Sequence, residues 1–115
     1  MRFIMLILCL LLVSSNSYAY FQDGNDLVGD MREWKNANNK SPNTNYTAAT
    51  GYSSYVRAIY DVLELNKIIC TSNNTTVGQV NAVVAKFLDA NPERWSEPAY
   101  FLVSDALKPV FPCGK

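Results

Sequence analysis

The segment from Thr76 to Cys113 constrains this chain more than any other part of it. It has the pattern of two amphipathic helices, because apolar residues recur at intervals of three and four. Thr76 and Gln79 match a capping box at the start of the first helix. Asn91 and Pro92 end that helix and begin a turn. The segment closes on a cysteine that needs a partner, and this indicates a small, disulfide-pinned helical domain.

Both helices of this segment have a single apolar face. Ser96 is the predicted cap of the second helix, and Pro98 is tolerated in its first turn. The predicted core faces are Val80, Val83, Val84, Phe87 and Leu88 in the first helix, and Ala99, Leu102, Val103, Ala106 and Leu107 in the second.

Two further helices are predicted upstream. Asn25 or Asp26 caps the first, which turns Leu27, Met31 and Trp34 toward the core. A polar loop from 36 to 47 follows, and then a longer helix from about 47 to 67. The apolar stripe of the longer helix is Tyr52, Tyr55 or Val56, Ile59, and Val62 or Leu63. The predicted fold class is therefore all-α, a compact single-domain bundle of four to five helices with one disulfide. A short strand near 44–56 is the alternative for that stretch.

The amino terminus has the pattern of a signal peptide. Arg2 precedes an apolar run from 3 to 13, and small residues at Ser17 and Ala19 suit a signal peptidase, so residues 1–19 are predicted to be removed. The mature domain is then 20–115. An uncleaved anchor and a lipoprotein attached at Cys9 are the alternatives, although the large residue before Cys9 disfavours the second.

Cleavage leaves two cysteines, Cys70 and Cys113. In a small exported domain such a pair predicts one disulfide, and two free thiols are the alternative. The bond would close a loop of about 44 residues, which the chain-entropy model equates with about 4 kcal/mol of stability.

Several functional classes are disfavoured by composition. The chain has no histidine, so Ser-His and Cys-His catalysis and the commonest metal ligand are missing. The formal net charge is zero, without the clustered basic face that nucleic-acid binding needs. We predict no enzyme activity, no catalytic residue, no metal, no cofactor, no nucleic-acid partner, and no membrane association after signal cleavage.

The segment from Val77 to Cys113 resembles the Rap/Tai family of type VI secretion amidase immunity proteins. Gly51 and Tyr52 followed by a helix through Asp61, and Cys70 before the Thr-capped helix, extend the resemblance over most of the mature chain. The residues that carry it downstream are Gly78, Gln79, Val80, Val83, Val84, Phe87, Leu88, Asn91, Pro92, Ala99, Leu102, Val103, Ala106, Leu107, Phe111, Pro112 and Cys113.

The resemblance implies a periplasmic immunity protein that binds a secreted cell-wall amidase and occludes its active site. A homodimer is also predicted, because a domain this small with surplus aromatic residues on its longer helix has apolar surface to cover, and the resemblance adds to that expectation. Members often carry a second cysteine pair, but this chain has Trp34, Lys35 and Ala49 in those regions. The first helix is therefore not expected to be cross-linked by a disulfide. A small periplasmic acid-stress-type chaperone is the alternative function.

The predicted partner-binding surface is the turn that follows Asn91. A narrow turn whose entry and exit contain prolines is preorganised, which lowers the entropic cost of binding. Trp and Arg are enriched at binding hot spots. The alternatives are that Trp95 packs inward, and that the tyrosines of the longer helix are core residues. The candidate contacts are Asn91, Pro92, Glu93, Arg94, Trp95, Ser96, Tyr52 and Tyr55.

Overall fold

The computed structural model describes residues 20–114, and this part of the chain folds into four α-helices and one short 3-10 helix. The helices are α1 (Gly24–Asn38), α2 (Tyr46–Leu65), α3 (Val77–Ala90) and α4 (Ala99–Leu107), with the 3-10 helix at Pro92–Arg94. The predicted all-α fold class is confirmed. The predicted signal peptide, 1–19, and Cys9 lie outside the described residues.

The alternative of a strand near 44–56 is wrong. Helix α2 begins at Tyr46, where the Asn45 side chain accepts a hydrogen bond from the Ala48 N–H, so the stretch is helical from its first turn. Between residues 20 and 114 the only strand-like pairing is an isolated bridge between Asp23 and Pro98.

The capping box predicted for helix α3 is confirmed. The Gln79 N–H donates to the Thr76 hydroxyl over 3.2 Å, and the Thr76 N–H donates to the Gln79 side-chain oxygen over 2.8 Å. Both partners lie within four residues of each other. The local sequence therefore contains everything that this helix start requires.

The caps predicted for helices α1 and α4 are wrong. Helix α1 is capped by Asp23, which exchanges two hydrogen bonds with Asp26. Helix α4 is preceded by Pro98 without any side-chain cap, and the Ala99 N–H donates to the Gln22 carbonyl over 3.0 Å. At helix α4 the Gln22 carbonyl takes the place of a side-chain cap, whereas at helix α1 the cap is Asp23, the residue directly before the helix.

The apolar stripes of all four helices meet in one core. Helix α1 packs most extensively on α2, and α3 on α4. Of the alternatives in helix α2, Val56 and Leu63 are buried, whereas Tyr55 is half-buried and Val62 is exposed. The Trp34 ring lies 5.3 Å from that of Tyr52. The buried apolar residues include Leu27, Val28, Met31, Tyr52, Val56, Leu63, Ile69, Val80, Val84, Leu88, Ala99, Leu102, Val103, Ala106 and Leu107.

The predicted disulfide between Cys70 and Cys113 is confirmed, with the two Cα atoms 4.7 Å apart. The Cys70 N–H also donates to the Phe111 carbonyl over 2.9 Å. Together the two bonds tie the segment after helix α2 to the segment after α4, and they enclose α3, α4 and the turn between them. Among the residues described, no helix is long and apolar enough to cross a membrane.

Candidate functional site

The candidate site is the connection between helices α3 and α4, residues 91–97, which we call the α3–α4 turn. Helix α3 ends at Ala90, and the Asn91 side-chain amide donates to the Phe87 carbonyl over 2.8 Å. The 3-10 helix follows directly and starts with proline, which suits a first helical position because proline has no N–H to satisfy. The Arg94 N–H returns to the Asn91 carbonyl, which closes the first part of the turn.

The backbone of the turn is fastened to the start of helix α1. The Gly24 N–H donates to the Glu97 carbonyl over 2.9 Å. Both the backbone N–H and the side-chain amide of Asn25 donate to the Trp95 carbonyl, over 2.8 and 3.1 Å. These donors are among the first N–H groups of a helix, which have no partner within their own helix. The turn and the helix start therefore complete each other.

Gly24 is needed for this close approach. A Cβ atom at this position would lie 2.5 Å from a Leu102 methyl carbon and 2.7 Å from the Trp95 Cα and carbonyl oxygen. Real Cβ atoms do not come that close to backbone atoms, so any larger residue would push the turn away from helix α1. The sequence analysis missed Gly24, whose only signal was its place beside the first capping residue.

Trp95 packs inward rather than standing at the tip of the turn. Its ring is half-buried, and its indole N–H donates to the Leu88 carbonyl over 2.8 Å. The Arg32 guanidinium lies over the ring, 5.6 Å from its centroid. The alternative that Trp95 serves packing is therefore the one that the contacts favour.

Arg94 is also folded back. Its guanidinium donates to both carboxylate oxygens of Glu97, over 2.7 and 2.9 Å, and to Asp105 over 2.6 Å. These hydrogen bonds lower the pKa of the Glu97 carboxyl below its ordinary value and raise the pKa of Arg94 further. The same guanidinium lies 5.5 Å from the Phe87 ring centroid. Arg94 thus links the turn to helices α3 and α4.

The outer surface of the turn consists of the remaining side chains. Pro92, Glu93 and Ser96 are exposed, and Asn91 is half-buried at the base. The structure thus brings six of the eight predicted contacts together in one turn, but only three of them point fully into solvent.

The two predicted tyrosine contacts lie elsewhere. Tyr52 has no exposed surface, and its hydroxyl donates to the Asn81 carbonyl over 2.6 Å. Burial raises the pKa of that hydroxyl, as expected for a phenol held away from water. Tyr52 is therefore a core residue and not part of a surface that a partner could meet. Tyr55 is half-buried and lines a different groove.

An apolar groove of about 500 Å³ lies at the base of the α3–α4 turn, between the facing sides of the two helices. We call it the turn-side groove. Val110 in its lining is 51% exposed. Sequence reasoning missed this groove, because it assigned Val83 and Phe87 of helix α3 to the core face. The lining residues are Val83, Lys86, Phe87, Ala90, Asn91, Asp105, Ala106, Pro109 and Val110.

The turn and the groove together form a surface suited to protein binding. The turn presents a proline, a carboxylate and a hydroxyl from a backbone that is held at both ends, and the groove can receive an apolar side chain. Residues 20–114 contain no group of three or more histidine, cysteine or acidic side chains placed to hold a metal ion.

Comparison with known proteins places this architecture in a family. The family model for Rap1a immunity proteins matches residues 23–113, which include all four helices, the α3–α4 turn and both bridged cysteines. Neither the curated proteins nor the solved structures contain a match. Because the matched region covers most of the chain, the protein belongs to the family of Rap1a immunity proteins.

Proposed function

We propose that this protein is a periplasmic immunity protein that binds and occludes a type VI secreted peptidoglycan amidase, and so protects the producing cell and its kin. Membership of an immunity-protein family supports binding to a cognate secreted effector. The resemblance to amidase immunity proteins supports the choice of target, and the signal-peptide pattern at 1–19 supports the periplasm.

The observation that carries the proposal is the two-sided anchoring of the α3–α4 turn. Helix α1 holds its backbone through Gly24 and Asn25, and Arg94 holds it to helix α4. A segment that is already ordered loses little conformational entropy on binding, so more of the contact energy appears as affinity. A narrow and rigid projection is also the shape that can enter the cleft of an enzyme.

The exposed side chains suggest that the tip of the turn makes polar contacts and the turn-side groove makes apolar ones. Glu93 and Ser96 supply a carboxylate and a hydroxyl for directed hydrogen bonds at the tip. The turn-side groove would bury an apolar side chain of the amidase beside them. An apolar centre with a polar rim is the usual composition of a protein interface.

The test is the affinity of a catalytically inactive amidase for a double variant, Glu93→Ala with Ser96→Ala. Both side chains are exposed and hold nothing else in place, so the fold should be retained. We expect a loss of at least about 2 kcal/mol, the range of binding hot spots. Val110→Asp should weaken binding independently, because it places a charge in the turn-side groove.

Ser54→Ala with Asp61→Ala is the matched control, since it removes the same kinds of group from exposed positions on helix α2. The control should bind the amidase like the wild type and protect cells against periplasmic amidase. If both double variants bind the amidase with equal affinity, the interface does not include the tip of the turn. Suppression of client aggregation at low pH without amidase binding would favour the chaperone alternative.

We also propose that the protein acts as a homodimer. Exposed aromatic and aliphatic side chains on several segments, among them Phe21, Leu65 and Phe101, support this. Light scattering of the mature chain at micromolar concentration should give twice the mass of the monomer. A monomer under these conditions would contradict the dimer without affecting the proposed amidase interface.

A further inference from the structure

A second groove, of about 480 Å³, lies on the other side of helix α3, where that helix meets helix α1, and we call it the α1–α3 groove. Trp34 and Lys35 line it from helix α1, and Lys86, Asp89 and three alanines line it from helix α3. Lys86 and Ala90 also line the turn-side groove. The part of helix α3 that carries them is therefore a ridge with an open groove on each side.

Lys86 lies in the middle of this ridge. Ala82, Lys86 and Ala90 follow one another at intervals of four residues, so they form one stripe along helix α3. All three residues are exposed. Because the two neighbours of Lys86 in the stripe have only methyl side chains, neither of them covers its ammonium group.

Every other charged side chain that lines either groove is held in an ion pair. Asp89 lies three residues from Lys86, a spacing at which helical side chains pair, but its carboxylate pairs with Lys35 of helix α1. Asp105, in the turn-side groove, pairs with Arg94 at 2.6 Å. Lys86 forms no ion pair within the described part of the chain. The ridge thus carries one positive charge that its own protein does not balance.

We propose that Lys86 selects the amidase by pairing with a carboxylate of its surface, while apolar side chains of the amidase enter the grooves on both sides. An ammonium group is strongly hydrated, and burying it without a partner is unfavourable. A carboxylate placed on Lys86 balances the charge, so that the surrounding apolar surface can be covered. An amidase without this carboxylate would bury the charge unpaired and would be rejected. The inference rests on the proposed function and extends its interface from the turn along helix α3.

The charge favours a foreign protein over a second copy of this chain. Two copies that met on this ridge across a twofold axis would bring their Lys86 side chains together, and like charges facing each other across an interface are unfavourable. The ridge is also continuous with the α3–α4 turn, because helix α3 ends at Ala90 and the turn follows directly. A partner that covers the turn and the turn-side groove therefore also reaches Lys86.

The experiment measures the association and dissociation rates of the disulfide-bonded protein with a catalytically inactive amidase at two ionic strengths. Lys86→Glu reverses the charge and should raise the dissociation constant at least about tenfold, because it sets two carboxylates against each other. Lys86→Met keeps a long side chain without the charge, so it should weaken binding less and reduce the salt dependence of the association rate. Lys86→Arg keeps the positive charge and should bind close to the wild type.

Arg57→Glu is the matched control, because it changes the net charge by the same amount as Lys86→Glu. Arg57 is exposed on helix α2, lines neither of the two grooves, and forms no ion pair among the residues that the structure describes. It should bind the amidase almost like the wild type, since the field of a distant exposed charge is screened at physiological salt. Circular dichroism and thermal melting of every variant establish that the fold is retained.

A charge exchange with the amidase identifies the carboxylate. Each acidic residue at the rim of the amidase cleft is replaced with lysine in turn. One of these amidase variants should bind Lys86→Glu more tightly than it binds the wild-type protein, because the exchange restores the ion pair in the opposite direction. The absence of any such variant would overturn the pairing of Lys86 with a carboxylate.

The outcomes separate this inference from the proposed function. If Lys86→Glu weakens binding no more than Arg57→Glu does, Lys86 does not contact the amidase and the inference is wrong. A loss of affinity in the double variant of Glu93 and Ser96 would then still support the proposed function and confine the interface to the turn. No effect of either set of variants would overturn both.

Discussion

The α3–α4 turn and the loop between helices α1 and α2 are held by different kinds of contact. The α3–α4 turn is tied to residues far away in sequence, as the hydrogen bond from Asn25 to Trp95 spans 70 positions. The loop between helices α1 and α2, residues 39–45, is held mainly by neighbours. The Ser41 N–H donates to the Asn36 carbonyl, and the Thr44 hydroxyl donates to the Ser41 carbonyl.

The two connections look alike in sequence, since both contain asparagine, proline and serine. They differ in backbone strain as well as in contacts. Lys40 and Asn43 adopt positive φ angles of 52° and 63°, whereas no residue of the α3–α4 turn does. The comparison teaches that rigidity of a polar connection depends on whether another part of the fold supplies partners for its backbone. This is why the turn, and not the loop, is the better candidate for presenting contacts to a partner.

The largest expected effect comes from replacing Cys70 and Cys113 with serine. The disulfide encloses the α3–α4 turn and leaves the 39–45 loop outside the closed segment. We expect the free energy of unfolding to fall by about 2–4 kcal/mol. Denaturant titration measures the loss, and native-state hydrogen exchange should show that protection falls in the turn. A smaller loss of protection in the turn than in the loop would contradict the comparison.

Gly24→Ala tests the contact between the turn and helix α1 directly. The new Cβ would clash with Trp95 and Leu102, and overpacking of this kind costs about 1–3 kcal/mol. Gly29→Ala in the same helix is the matched control, because nothing lies within 4 Å of its Cβ position. The control should stabilise the protein by about 0.5–1 kcal/mol, the helix-propensity difference. Thermal melting should show a lower melting temperature for Gly24→Ala and a higher one for Gly29→Ala. A change of the same sign in both variants would contradict the close approach of the turn to helix α1.

Trp95→Phe keeps an aromatic ring but removes the indole N–H that donates to the Leu88 carbonyl. The Leu88 carbonyl retains the Asn91 N–H as a donor, so we expect a loss of only about 1 kcal/mol. Chemical denaturation measures this loss. Unchanged stability would show that the indole hydrogen bond does not help to hold the turn.

The smallest expected effect is in the loop. Lys40→Gly should stabilise the protein by up to about 1 kcal/mol, because glycine adopts a positive φ without the steric cost of a side chain. Ser96→Gly in the α3–α4 turn should instead destabilise slightly, since no positive φ is relieved there and the unfolded chain gains freedom. Equal effects of the two changes on the melting temperature would remove the distinction between the connections.

Much of the fold could be predicted because its signals are local. The buried residues of helix α4, Ala99, Leu102, Val103, Ala106 and Leu107, follow one helical stripe that the sequence displays directly. The capping box at Thr76 and the end of helix α3 before Asn91 rest on contacts within four residues. The prediction of the disulfide needed only the number of cysteines and the expectation that the chain is exported.

The turn between helices α3 and α4 was predictable in position, but the orientation of its side chains was not. The sequence predicts a turn at 91–96, and the structure has an anchored turn there. Arg94 and Trp95 turn inward because Glu97, Asp105 and the Leu88 carbonyl offer them partners. Residue type alone does not reveal whether such partners will be near.

The sequence by itself determined the helices, their apolar faces and the disulfide, since periodicity, capping pairs and cysteine number are properties of the local chain. Only the tertiary structure decided why Gly24 must be small and which side chains of the turn face solvent. The close approach at Gly24 depends on two segments about 70 residues apart whose unpaired backbone groups meet, and the inward side chains of the turn depend on partners in helices α3 and α4. A helix end with free N–H groups is visible in a sequence, but the carbonyls that satisfy it are found only after the chain has folded.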